Sequence, residues 1–88
     1  MNVMSVEQKL IGFLQTVTGL LTIDARTDLL DAGIVDSLMM MDLIVFVETE
    51  FQTVIEFNDL TPETFRTPST IAQLVNSRMH REGTSEAA

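Results

Sequence analysis

The sequence predicts an all-α fold, a small four-helix bundle of three long helices and one short one. Three observations carry that reading. Apolar residues recur at the three- and four-residue spacing of helices, and no segment makes a convincing strand. Helix-start signals punctuate the chain, twice as threonine followed by proline. The 88 residues suit one domain with a small core, and no internal repeat suggests a stacked array.

The first helix begins near Ser5, which has with Gln8 the spacing of a capping box. Val6, Leu10, Phe13, Leu14, Val17 and Leu21 then fall on a single stripe. A long acid-rich connection follows, TIDARTDLLDAGIV, with Gly33 shortly before the next element. Connections of this length in a small domain are more often functional than idle. The second helix runs from Asp36 or Ser37 to about Gln52. A short third helix is expected at TPETF, with Thr61 as cap and Pro62 at the first helical position. Thr67 and Pro68 repeat that arrangement and open the last helix, whose stripe is Ile71, Leu74, Val75 and Met79. The polar ending HREGTSEAA is expected to fray. The expected organisation is a single domain over residues 1–80 and a flexible tail over residues 81–88.

Composition excludes several function classes. Thirteen acids against five Lys and Arg give a formal net charge of −8, which repels nucleic acid and anionic membrane and suits a partner with a basic patch. No cysteine is present, so disulfides and thiolate metal sites are ruled out, and any thiol chemistry needs a sulfur from elsewhere. The apolar run Leu38 to Val47 is broken by Asp42 and is too short to span a bilayer. The first residues lack a basic segment followed by an apolar run, so no signal peptide is expected, and a soluble cytoplasmic monomer is. His80 is the single histidine, which leaves no material for a triad or a multi-histidine metal site. Asp24, Asp28, Asp31 and Asp36 invite a calcium reading, but a loop counted from Asp24 has Leu29 and Val35 where an EF-hand needs glycine and glutamate. The remaining carboxylates read as a solvated acidic surface, so an enzyme is not expected.

The second helix is apolar on more than one side. Steps of about 100° per residue bring Met40, Leu43, Ile44, Val47 and Phe51 onto one face, a complete core stripe. Leu38, Met41, Asp42 and Val45 fall opposite, with Glu48 and Thr49 at the edge. Scattered exposed apolar residues would need no explanation. The functional alternative is a docking face for other proteins, with methionine as an adaptable contact. Ser37 also has a plain reading, because Asp and Ser at a helix start serve as N-caps.

The order of residues weighs on that choice. An acid-rich loop leads to Leu30, Asp31 and Gly33, an aliphatic pair, and Asp36-Ser37-Leu38, followed by Asp42, Glu48 and Glu50 along the helix. This resembles the acyl carrier protein and peptidyl carrier protein family, whose attachment signature is Asp-Ser-Leu at the head of the second helix. The resemblance runs from about Val6 to Val75 and includes the helix order, the long first loop and the short third helix.

The resemblance implies an acyl-carrier-protein-like bundle bearing a covalent 4′-phosphopantetheine taken from coenzyme A. By the same implication, a phosphopantetheinyl transferase attaches the group to Ser37, and the arm's thiol carries an acyl or aminoacyl cargo as a thioester. Asp36 would help present Ser37 and contact the transferase's Mg²⁺. Leu38, Met41, Asp42, Val45 and Glu48 match the positions through which such carriers meet basic partners. Those partners are the transferase, a loading ligase, and downstream synthases or transferases of fatty acid, polyketide, nonribosomal peptide or related biosynthesis. The residues make physical sense of the chemistry, since a phosphodiester at Ser37 would lie at the positive end of the helix dipole.

Two positions depart from the fatty-acid pattern. Ile34 stands where those carriers usually have glycine three residues before the serine, the glycine here being Gly33. Met39 stands where they usually have an acid two residues after it. The order is closer to D-alanyl carriers and carriers of specialised metabolism. The rival reading is an acidic helical interaction domain with no prosthetic group, in which Ser37 is only a cap.

Overall fold

A computed structural model describes residues 4–31 and 33–87, with side-chain surroundings through Met79. Its elements are α1 (Val6–Thr18), α2 (Ser37–Phe51), a 3-10 turn (Phe57–Asp59) and α3 (Pro68–Ala87). Among the described residues there is no strand, and no helix is long and apolar enough to cross a membrane. The flexible tail expected at 81–88 falls on residues whose side chains lie outside the described set.

The start of α1 follows its sequence signal. Ser5 Oγ accepts the N–H of Gln8 at 3.1 Å, and Gln8 Oε1 accepts the N–H of Ser5 at 2.9 Å. The capping box is complete, and two donors of the first turn are satisfied. The end of α1 corrects the expected stripe. Gly19 adopts φ 74°, and its N–H returns to the Gln15 carbonyl, so the helix stops at Thr18. Leu21 therefore lies beyond the helix and is 80% exposed, while Val17 is 43% exposed. Leu10 and Leu14 are fully buried, and Val6 and Phe13 pack against the core.

The expected short helix at TPETF is a single turn. Thr61 Oγ1 accepts the N–H of Thr64 at 3.2 Å, and the N–H of Phe65 reaches the Thr61 carbonyl at 3.2 Å. The cap chemistry is as expected, but no helix propagates. Thr67 Oγ1 accepts the N–H of Thr70 at 3.1 Å and caps α3 ahead of Pro68, which leaves too few residues to repay helix nucleation. The short helical element lies earlier, at Phe57–Asp59. Arg78 secures it from α3, donating to the Val54 carbonyl at 3.0 Å and pairing with Glu56 and Asp59.

All three helices and their connections feed one core. Leu10 and Leu14 meet Leu43, Val47 and Phe51 of α2 and Ile71, Ala72 and Val75 of α3. Ile23, Leu29 and Val35 of the first connection and Phe65 of the second complete it. In α3, Ile71 and Val75 keep their expected places, whereas Leu74 is half-buried and Met79 is exposed. The helix backbones do not share contact evenly: α1 lies mainly against α3 and approaches α2 only slightly. Phe13 and Phe46 fill the space between α1 and α2, stacked with ring centroids 4.2 Å apart.

Candidate functional site

The head of α2 is placed by the long first connection, which the core and a set of local bonds hold firmly. Asp28 Oδ1 accepts the N–H of Leu30 at 3.1 Å and of Asp31 at 2.7 Å, while Oδ2 accepts Arg66 Nη1 at 3.1 Å. Leu29 donates its N–H to the Arg66 carbonyl at 2.7 Å and accepts at its own carbonyl from Val35 N–H at 3.1 Å. The connection is thus tied to the segment preceding α3, and fully buried Leu29 anchors it. Gly33, at φ 67°, supplies the left-handed residue of the turn that returns the chain toward α2. The N–H of Asp31, ahead of Arg66, holds the Asp28 carboxyl below its ordinary range, and burial opposes the effect. The N–H of Arg26 does the same for Asp24, helped by the Thr27 hydroxyl.

At the helix start the capping duty falls to Asp36 and not to Ser37. Asp36 has extended backbone, and its Oδ1 accepts the N–H of Met39 at 2.9 Å. Ser37 is the first helical residue and is exposed. Its hydroxyl takes no hydrogen bond among the described residues. The first turn of this 15-residue helix contains no acid, so the charge set against the positive end of its dipole is the Asp36 carboxylate at the cap. An anion on Ser37 Oγ would sit beside that end and in solvent. The arrangement fits a phosphodiester at Ser37.

Along α2 the structure separates the two faces. Leu43 and Val47 are fully buried and Phe51 nearly so, while Met40 and Ile44 are half-buried against the core. On the other side Leu38 is 75% exposed, Met41 64% and Val45 60%. Asp42 is exposed among them and has no ion-pair partner among the described residues. Glu48 differs from the rest. It is half-buried, and its Oε2 accepts the N–H of Ile55 at 2.9 Å, holding the chain as it leaves α2.

Two depressions flank α2. One, of about 260 Å³, lies on its core side beside Leu30, Met40, Ile44, Leu60, Pro62 and Phe65, and is almost wholly apolar. The other, of about 430 Å³, is an open groove between α1 and α2 lined by Phe13, Val17, Asp42, Val45, Phe46, Thr49 and Glu50. The sequence reading brought Ser37, Asp36 and the exposed side of α2 together. It missed the contribution of α1 and gave Asp28 no role. An aspartate two residues before the N–H it accepts is a local turn signal that marks Asp28, whereas the groove depends on how two helices pack.

Residues 8–75 of the chain match the family described as the phosphopantetheine attachment site. No curated protein matches the chain.

Proposed function

The chain belongs to the phosphopantetheine attachment site family, whose members carry covalently bound 4′-phosphopantetheine, and on that premise we propose that Ser37 is the attachment residue. The observation that carries this reading is the division of labour at the head of α2. Asp36 caps the helix, so the Ser37 hydroxyl is exposed and uncommitted at the helix's positive end.

The group supplies, when bound, the thiol that this cysteine-free chain lacks, on which an acyl or aminoacyl cargo is held as a thioester. The chain's own residues present and recognise. Ser37 Oγ would lose its proton to the visiting transferase and bond to the phosphorus that bears the pantetheine arm of coenzyme A, as the pyrophosphate P–O bond breaks and adenosine 3′,5′-bisphosphate leaves. The N-terminus of α2 stabilises the resulting anion through its unpaired N–H groups. Asp36 fixes the conformation of the attachment residue through its bond to Met39, and its second oxygen faces no donor among the described residues, which suits a role toward the transferase's Mg²⁺.

Leu38, Met41, Asp42 and Val45 form the docking face for the transferase, a loading ligase and downstream biosynthetic enzymes. Three are apolar and exposed beside an acid with no ion pair among the described residues, a combination that folding does not require. Glu48 belongs to this face only at its edge, since its carboxylate also serves Ile55. The protein's part is that of a carrier, with catalysis left to its partners. Incubation with coenzyme A and a broad-specificity phosphopantetheinyl transferase, followed by peptide mapping, tests the assignment. The added mass should fall on the peptide containing Ser37, and its appearance on another serine would refute it.

A further inference from the structure

The α1–α2 groove is not used by attachment at Ser37, and its walls come from two helices. Phe13 and Phe46 stack across it at 4.2 Å, where the backbones of the two helices barely approach. The groove's apolar rims, Val17 from α1 and Val45 from α2, are 43% and 60% exposed. The cleft leaves this apolar surface in water.

The charges along the groove are acidic. Asp42 and Glu50 line it. Lys9 offsets Glu50 at 3.1 Å, and Asp42 has no such partner among the described residues. A second copy of the chain would bring acids against acids at a net charge of −8 each. An occupant that satisfies both features needs apolar side chains for the floor and a cation for Asp42.

We infer that the α1–α2 groove receives a basic amphipathic helical segment of a partner protein, its apolar side chains between Val17 and Val45 and a Lys or Arg against Asp42. This extends the docking face proposed above from α2 onto α1, and rests on that reading for the identity of the visitors. It assigns α1 a recognition role, with Val17 as its most accessible contact. The volume of about 430 Å³ admits bulky side chains, and the open course of the groove between two helices suits a continuous helix with anchors at i, i+3 and i+4.

The test uses the full chain, ¹⁵N-labelled, titrated with a synthetic helical peptide of leucine on one face and lysine on the other. A companion peptide carries glutamate in place of lysine. Backbone shifts should move at Phe13, Val17, Val45, Phe46 and Thr49 with the lysine peptide and stay still with the glutamate peptide. Val17→Ser and Val45→Ser should each weaken binding about tenfold, as should Asp42→Lys, while Phe57→Ser, exposed on the 3-10 turn, should not. Shifts spread evenly over the acidic surface, or equal binding by parent and Val17→Ser, would overturn the inference. So would a concentration-dependent dimer in sedimentation that Val17→Ser abolishes. Mass addition at Ser37 is read separately. A chain that is modified but does not bind the lysine peptide loses the groove and keeps its carrier role, and the reverse result does the opposite.

Discussion

Asp36 Oδ1 accepts the N–H of Met39 at 2.9 Å, and this one bond makes Asp36 the cap of α2 and releases Ser37 from that duty. Two residues that both favour helix starts are adjacent, and the structure gives them different work. The first prediction follows directly. Asp36→Ala should lower stability by about 1 kcal/mol, whereas Ser37→Ala should stay within about 0.5 kcal/mol of the parent. Urea unfolding of the two variants measures both. Equal losses would mean that the serine shares the cap.

The core gives a second prediction. Val47 is fully buried at the meeting of the helices, so Val47→Asp places an unpaired charge there and should unfold the domain. Leu43→Ala, also fully buried, should cost about 2–5 kcal/mol. Phe13→Ala should fall lower in that range or below it, because Phe13 is only half-buried and loses chiefly its stack on Phe46. Circular dichroism melts order the three.

The exposed side of α2 gives a third. Met41→Ala and Val45→Ala should leave the melting temperature unchanged and weaken partner binding by about 1–2 kcal/mol each, mainly through faster dissociation. Asp42→Lys should slow association, and parent association should weaken as salt rises. Glu48→Lys should do both kinds of damage, since it also removes the acceptor of the Ile55 N–H. Transfer assays beside thermal melts separate the effects.

The sequence was most informative where structure is decided within a few residues. Ser5 with Gln8, Asp36 with Ser37, and Thr67 with Pro68 mark the three helix starts because capping is local chemistry. The exposure of Leu38, Met41 and Val45 was equally legible, since helical periodicity alone puts them opposite Leu43 and Val47. The end of α1 was not read correctly, because Leu21 continues an apolar spacing that Gly19 has already interrupted. TPETF carries correct start signals but lacks the length to propagate, a limit that the next cap imposes. The half-burial of Glu48, the Arg78 anchor and the α1–α2 groove arise from packing between distant segments, which no local pattern encodes.

Acid should loosen the first connection. The carboxyls of Asp24 and Asp28 are held below their ordinary value of 3.8, chiefly by the N–H groups of Arg26 and Asp31. A folded-state value below the unfolded one gives stability that is present above the unfolded value and is lost as pH falls through the folded one. Urea midpoints should therefore drop as pH is lowered below about 4, and Asp28→Asn should flatten that slope. A slope unchanged in Asp28→Asn would show that the Asp31 and Arg66 contacts to Asp28 contribute nothing in solution.

The most direct measurement is the intact mass of the protein after incubation with coenzyme A, Mg²⁺ and a broad-specificity phosphopantetheinyl transferase. The parent chain should gain the mass of one phosphopantetheine, and Ser37→Ala, which keeps the Asp36 cap and a parental melt, should gain none. A folded parent that stays unmodified, or a Ser37→Ala chain that is modified like the parent, would contradict the assignment of Ser37 as the attachment residue.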